Sequence, residues 1–309
     1  MSRTLILVTG AQGQLGQSLQ WIHKLTPQDS DLVLLGRNEL DITQTDSISH
    51  TLDKYKPAVL INAAAYTAVD KAESEPDLAH LINGVAPGLL AIACAQRAIK
   101  MVHVSTDYVF DGLASQPYPE EAPTAPVSVY GQSKLKGEQS VLNALPSAIV
   151  LRTSWVFSQF GNNFLKTMLR LGRERAELSI VADQIGGPSY APHIGQVLLS
   201  LAAQQIQPTH GQSPHSAPSG IYHFAGQPYT SWYDFAHEIF KQATTLGLLA
   251  QPPALHPIPS SQYPTPATRP AQSSLEQGKL NALLGDKNIE RDWSKGIEQS
   301  LLFLQKQAE

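Results

Sequence analysis

Over the first 155 residues, short aliphatic or β-branched runs at 5–9, 32–35, 58–62, 101–105 and 148–152 alternate with amphipathic stretches at about 14–23, 45–54, 75–99 and 130–144. A short apolar run without polar alternation fits a strand covered on both faces, whereas a half-exposed strand shows a period of two. Strands of this kind separated by helices pack as a parallel sheet with helices on both sides. The chain is therefore expected to be α/β, with a Rossmann-type doubly wound parallel sheet. Beyond Trp155 the rhythm changes. A helix at about 163–173, a strand near 178–181 and a helix near 194–203 lead into a loop rich in Pro, Ser, His and Gln at 205–220. A strand at 220–224, a helix at 231–244, a proline-dense stretch at 252–270 and a C-terminal helix follow. This half reads as a smaller C-terminal α/β lobe, with the Pro and Gly content of the 205–220 loop marking an exposed connection.

The composition narrows the partners. A formal net charge of −4 over 309 residues, with no run of Lys or Arg, gives no basic surface for nucleic acid or anionic lipid. The single cysteine, Cys94, excludes an intramolecular disulfide and sits in an apolar stretch where a small buried hydrophobe is expected. No apolar run is read as reaching the roughly 18 residues of a membrane span. The expectation is a cytoplasmic enzyme acting on a small molecule, with no membrane and no nucleic acid.

Gly10, Gly13 and Gly16 follow the first strand and open the first helix as Gly-x-x-Gly-x-x-Gly, with Gln14 and Leu15 between the last two. Glycines there permit a tight turn, close approach of a pyrophosphate to the backbone, and close packing of helix on sheet, while the helix N–H groups face the anion. The second strand ends in Gly36-Arg37, with Glu39 and Asp41 just beyond. An acidic residue at that point binds a ribose 2′-hydroxyl, whereas the fork of Arg37 suits a 2′-phosphate. NADPH is the expected cofactor, with NADH left open. Residues 1–160 with returning segments about 178–225 are expected to form the NAD(P)-binding domain. About 161–177 and 226–309 are expected to form the substrate-binding lobe.

Tyr130 and Lys134 are four residues apart on an expected helix and so share a face. An ammonium beside a phenol lowers the phenol's pKa, which makes Tyr130 a candidate general acid for a carbonyl receiving hydride. Chance placement alone gives about 0.4 such pairs in a chain of this composition, so position carries the inference. The pair opens the helix before the fifth strand, and Ser105-Thr106-Asp107 ends the fourth. Both therefore lie at the carboxyl edge of the sheet, where the Thr106 hydroxyl is placed to donate to the carbonyl oxygen. Trp155, just after the fifth strand, offers a flat wall for a sugar face or, equally, a core aromatic.

At these residues the chain resembles the dTDP-4-dehydrorhamnose reductases of the extended short-chain dehydrogenase/reductase superfamily. The resemblance runs through the stretches 62–73 (NAAAYTAVDKAE), 105–110 (STDYVF), 129–134 (VYGQSK), 152–155 (RTSW), 162–164 (NNF) and 263–270 (YPTPATRP). It implies NAD(P)H-dependent reduction of the 4-keto group of dTDP-6-deoxy-L-lyxo-4-hexulose to dTDP-L-rhamnose. It also implies dinucleotide contacts from Gly13, Gln14, Leu15, Asp41, Ile42, Ala65, Tyr66, Thr67, Tyr130 and Lys134. Thr106, Asp107 and Trp155 would contact the sugar nucleotide, and Thr67, Val69 and Tyr108 lie on loops at the same edge. The resemblance also extends to enzymes of which some are dimers that share a magnesium ion through glutamates. The matching positions here are Ser18, Pro192 and Ser294, which lack the anionic oxygens that a hard cation requires. No metal site is expected, His210 and His215 reading as solvated loop residues, and the chain is expected to be a monomer or weak dimer. Two other readings share these motifs: another nucleotide-sugar reductase or epimerase, and a non-catalytic regulatory subunit of an adenosyltransferase. Arg37 generates a test. Catalytic efficiency is expected to be higher with NADPH than with NADH in steady-state assays, and equal or higher efficiency with NADH contradicts the assignment of Arg37 to a 2′-phosphate.

Overall fold

In the first half the aliphatic runs form strands within one or two residues of the expected bounds: β1 (Thr4–Thr9), β2 (Ser30–Leu35), β3 (Val59–Asn62), β4 (Lys100–Thr106) and β5 (Ile149–Thr153). The structure, a computed structural model, describes residues 3–25, 30–206, 217–285 and 290–308. The remaining strands are β6 (Val156–Phe157), β7 (Glu177–Val181), β8 (Ile185–Gly186), β9 (Ser189–Tyr190), β10 (Gly220–His223), β11 (Thr230–Ser231) and β12 (Ala254–Ile258). Six strands make one sheet in the order β10-β5-β4-β3-β1-β2, and every pair in it is parallel. Because β2 and β3 flank β1, successive connections leave β1 toward opposite edges. The sheet therefore has a switch point at the carboxyl ends of β1 and β3, where doubly wound folds bind ligands.

Alternation along each strand builds a core on either face. Ile6, Val8, Val59, Ile61 and Val102 face a cluster completed by Leu19 and Ile22 of α1 (Gln14–Leu25) and Ile194, Val197 and Leu198 from later in the chain. Leu7, Leu60 and Met101 face the other way. They pack with Ile48 and Leu52 of α2 (Thr45–Tyr55) and with Leu90, Ala91 and Cys94. Burial pushes the Cys94 thiol up to about 12, which leaves it an inert core residue.

The helix expected over 75–99 is broken. The chain passes through α3 (Val69–Ala72) and α4 (Pro76–His80), a π-helical turn at Leu81–Val85, and α5 (Ala86–Gln96). Pro87 has no N–H to give the Asn83 carbonyl, and the Ala86 N–H reaches back five residues to Leu81 O. Residues Pro76–Gln96 are, by length and composition, apolar enough to cross a membrane, which corrects the expectation that no run is long enough. In the fold, this stretch packs against α2 and α6 (Val129–Ala144), and just over half of its most apolar window is buried.

A third cluster lies apart from the sheet. It joins Leu165 and Leu169 of α7 (Phe164–Glu174), Phe235 and Ile239 of α9 (Trp232–Thr245), and Ile297 and Leu301 of the C-terminal helix. Strand β7 pairs with β12, outside the six-stranded sheet, whereas α8 (Ala191–Ile206) and α10 (Gly278–Leu284) pack onto that sheet. α11 (Trp293–Ala308) closes the chain. The proline-dense segment contains β12, with Pro257 opposite Ile180. A proline survives in this strand because the sheet has only two strands, so one edge needs no N–H.

The close approach of α6 to the π turn rests on Gly137, where an added Cβ would stand 2.1 Å from the Asn83 carbonyl oxygen. Backbone on both sides leaves no flexible atom to yield. Gly137→Ala is expected to cost about 2 kcal/mol despite the better helix propensity of alanine. Urea unfolding checks this, and an unchanged or raised midpoint contradicts it.

Candidate active site

Leaving β1, the chain turns through Gly10 at φ +77°, where a Cβ would press within 2.9 Å of the Ala63–Ala64 peptide. Only glycine takes that conformation against a backbone that close. Gly13 N–H donates to Gly10 O at 3.0 Å, and α1 starts at Gln14. The turn thus opens helix N–H groups toward a cleft of about 960 Å³ at the switch point, with Gly10, Gly13, Gln14 and Leu15 along it. Gly16 does not line the cleft. A Cβ there would lie 2.3 Å from Gly10 O, so it packs beneath the turn.

At the end of β2, Arg37, Asp41 and Ile42 reach the same cleft. Glu39 is spent on the Gly36 N–H, which it accepts at 2.9 Å. Asp41 Oδ1 accepts from Thr43 Oγ1 at 2.7 Å and Thr43 N at 3.0 Å, and these bonds, with the nearby Arg37 charge, hold its carboxyl below the usual range. Arg37 is exposed at the rim, beside a fixed carboxylate.

At the end of β3, Asn62 is buried and accepts from Thr9 Oγ1 at 2.6 Å, which locks the loop that follows to the glycine turn. Ala65, Thr67 and Val69 line the cleft, but Tyr66 does not. Its hydroxyl donates to Glu75 Oε2 at 2.7 Å, while Asn83 of the π turn bonds both its N–H and its C=O. The side chain of Tyr66 therefore braces the loop.

Tyr130 and Lys134 come together with Thr106 and Asp107 as expected. Ser128 caps α6 by accepting Gly131 N–H at 3.1 Å, and Glu73 accepts Val129 N–H at 2.9 Å, so the first turn carrying Tyr130 is fixed from two sides. Lys134 Nζ donates to Val104 O at 2.7 Å. Burial lowers its pKa to about 8, opposed by the charge of Glu138. The expected lowering of the Tyr130 phenol does not occur here. Burial pushes it up, the Asp107 charge pushes it further, and only hydrogen bonding to Thr106 pulls it down, so the phenol stays protonated. Thr106 Oγ1 donates to Asp107 Oδ1 at 2.9 Å. Asp107 is raised to about 6 by burial, against bonds from Ser273 and Thr106, and its Oδ2 has no partner among the described residues.

The far wall is aromatic. Trp155 lies in the left-handed region at φ +45°, its ring stacked 3.6 Å from Trp232 at 9°, with Gly186 packed close against it. A bulky residue in that conformation is strained and persists only where packing fixes it. Tyr108 also lines the cleft and packs edge-on against Tyr130, ring centroids 5.4 Å apart. Sequence reasoning missed Trp232, Phe164 and Ser154 on this wall. Phe164 stands in one of the matching stretches, but Trp232 follows a segment with no local signal.

Two of those stretches meet here. Asp70 and Arg269, 199 residues apart, form a two-point ion pair at 2.7 and 3.0 Å, and Ala267 N–H adds a third bond to Asp70. The strap at 263–270 is thereby tied over the loop that follows β3. Ser18 is buried and bonded to Gln14 O, Pro192 is buried in α8, and Ser294 lies in the first turn of α11. His210 and His215 lie outside the described residues.

A model of the RmlD substrate binding domain matches residues 3–305. The chain is 43% identical over 295 residues to the dTDP-4-dehydrorhamnose reductase of Aggregatibacter actinomycetemcomitans, covering 95% of this chain and 97% of that one. It is 42% identical to the enzyme of the same name from Burkholderia thailandensis, covering 91% and 93%. A crystal structure of dTDP-4-dehydrorhamnose reductase from Bacillus anthracis in complex with NADP superposes with a TM-score of 0.86 at 34% identity, over 98% of this chain and all of that one.

The buried Asp107 has a consequence for stability. Its proton is bound more tightly in the folded than in the unfolded chain, so stability falls as pH rises from about 4 through about 6, and above that the cost of burying the carboxylate is fully present. Asp107→Asn is expected to raise the urea midpoint at pH 7.5, the gain shrinking toward pH 4.5. An equal change at both pH values contradicts this.

Proposed function

Because the chain belongs to the RmlD substrate binding domain family, we propose that it reduces the 4-keto group of dTDP-6-deoxy-L-lyxo-4-hexulose, giving dTDP-L-rhamnose. It is an NAD(P)H-dependent oxidoreductase. The observation that carries the finer reading is the convergence of Tyr130, Lys134 and Thr106 on one cleft with the glycine turn and Trp155.

The residues present fit a dinucleotide. A Cβ at Gly10 would fill the place where the turn lies against Ala63, and the start of α1 directs N–H groups to where a pyrophosphate would lie. Gly13, Gln14 and Leu15 would hold the diphosphate, and Arg37 beside Asp41 the adenosine ribose with its 2′-phosphate. Ile42, Ala65 and Thr67 would cover the rest of the dinucleotide. Bound NADPH supplies the hydride to the substrate carbonyl carbon.

The remaining work belongs to the chain. Tyr130, protonated at neutral pH because it is buried, donates its phenolic proton to the carbonyl oxygen as charge develops. Thr106 turns its hydroxyl from Asp107 to that oxygen and shares the charge. Lys134, four residues along the same helix face, places an ammonium where it stabilises the phenolate left behind and hydrogen-bonds the nicotinamide ribose. Asp107, with one oxygen unpartnered among the described residues, accepts from a sugar hydroxyl. The stacked Trp155 and Trp232, with Tyr108 and Val69, cover the sugar and exclude water. The six-stranded sheet with the helices on it forms the dinucleotide domain in this reading, and α7, α9, α11 and the β7–β12 pair the substrate lobe.

The direct test incubates the protein with enzymatically generated dTDP-6-deoxy-L-lyxo-4-hexulose and follows NADPH absorbance. Tyr130→Phe is expected to lower kcat by about 10²-fold or more with NADPH affinity nearly unchanged. Normal turnover by that variant, or faster NADPH oxidation with a GDP-keto-sugar, overturns the assignment.

A further inference from the structure

Tyr130, Lys134 and Glu138 follow one another at four-residue spacing along a single face of α6. The first two belong to the proton-transfer site described above, whereas Glu138 lies one turn deeper, 2% exposed. Its carboxylate is fully engaged. Oε1 accepts from Ser105 Oγ at 2.5 Å and from Arg152 Nε at 2.9 Å, and Oε2 accepts from Arg152 Nη2 at 2.7 Å. Ser105 precedes Thr106 on β4, and Arg152 precedes Thr153, Ser154 and Trp155 at the end of β5. One side chain thus ties the helix that carries Tyr130 and Lys134 to the two strands whose ends carry the other site groups.

The charges around Lys134 make that tie more than mechanical. The charge of Glu138, on the same helix, acts on Lys134, and that of Lys134 acts on His103 of β4; Tyr130 and Asp107 line the same cleft, and Arg152 of β5 lies behind Glu138. Tyr130 stays protonated. His103 is driven well below the usual imidazole range by burial and by the Lys134 charge, so it is neutral. Arg152 is bound to Glu138. Glu138 is the group whose charge favours the ammonium of a lysine that burial disfavours.

We propose that Glu138 is a positioning residue for proton transfer, clamping α6 to the ends of β4 and β5 and supplying a fixed negative charge beside the Lys134 ammonium. This rests on the reading of Tyr130 and Lys134 as the proton-transfer pair. Glu138→Gln keeps the shape and removes the charge. Its effect is predicted to depend on pH: the alkaline limb of the kcat/KM profile moves toward acid by about one pH unit, and the loss is several-fold greater at pH 8.5 than at pH 6.5. Glu138→Asp keeps the charge and leaves the limb near its wild-type position, whatever it costs in rate.

Because Glu138→Gln leaves the Arg152 charge buried without its partner, folding itself is at risk. The double variant Glu138→Gln/Arg152→Met removes both charges. It is expected to fold, with the limb displaced in the same direction by less. A Glu138→Gln profile lowered by one factor at every pH overturns the proposal, as does a Glu138→Asp limb that moves as far as that of Glu138→Gln. A folded double variant with the wild-type limb does so as well. Full turnover by Tyr130→Phe overturns both this and the functional reading. A blocked Tyr130→Phe with a parallel Glu138→Gln profile overturns this inference alone.

Discussion

The placement of β1 between β2 and β3 governs the rest of the molecule. A chain leaving the central strand must turn sharply beneath the loop that leaves its neighbour, and Gly10 at positive φ, pressed on the Ala63–Ala64 peptide, is how it does so. Thr9 and Asn62 bond to each other directly below that crossing, so the two loops form one floor. The start of α1, the end of β2 and the loop carrying Ala65 and Thr67 are then all directed into one cleft, and β4 and β5 bring Thr106 and Trp155 to its other end.

Within this cleft burial outweighs local charge. Tyr130 and Asp107 are both pushed toward their protonated forms and Lys134 toward its neutral one. Desolvation acts on each group in full, while partners act only through the few contacts they make. That is why the expected pull of Lys134 on Tyr130 does not dominate. The same dry surroundings strengthen the ion pair between Glu138 and Arg152, which is satisfied at nearly every polar atom and so fixes helix against sheet.

The strands of the large sheet were legible because a buried parallel strand has no alternative to an unbroken apolar run, and their bounds shifted by no more than two residues. The helix at 75–99 was misread because its apolar pattern continues through Pro87, and only the missing N–H breaks the hydrogen-bond ladder into a π turn. β12 was hidden by Pro257, which disqualifies a central strand but not a two-stranded edge. Gly16 carries its motif's residue type yet packs beneath the turn, and the Tyr66 hydroxyl is bonded to Glu75, because the glycine spacing and the asparagine-alanine block specify the loops as wholes, not where each side chain points.

What the sequence determined was the set of local choices: apolar runs for strands, glycines where the turn needs them, a phenol and an amine one helical turn apart, and a rhythm that changes after Trp155. Each depends on neighbours within a few residues, and so survives as pattern. Tertiary structure alone decided which distant groups meet. It set Arg269 on Asp70 across 199 residues, Trp232 flat on Trp155, and Ser105 and Arg152 on Glu138. Those contacts depend on crossovers and packing between elements far apart in the chain, and no local spacing encodes them.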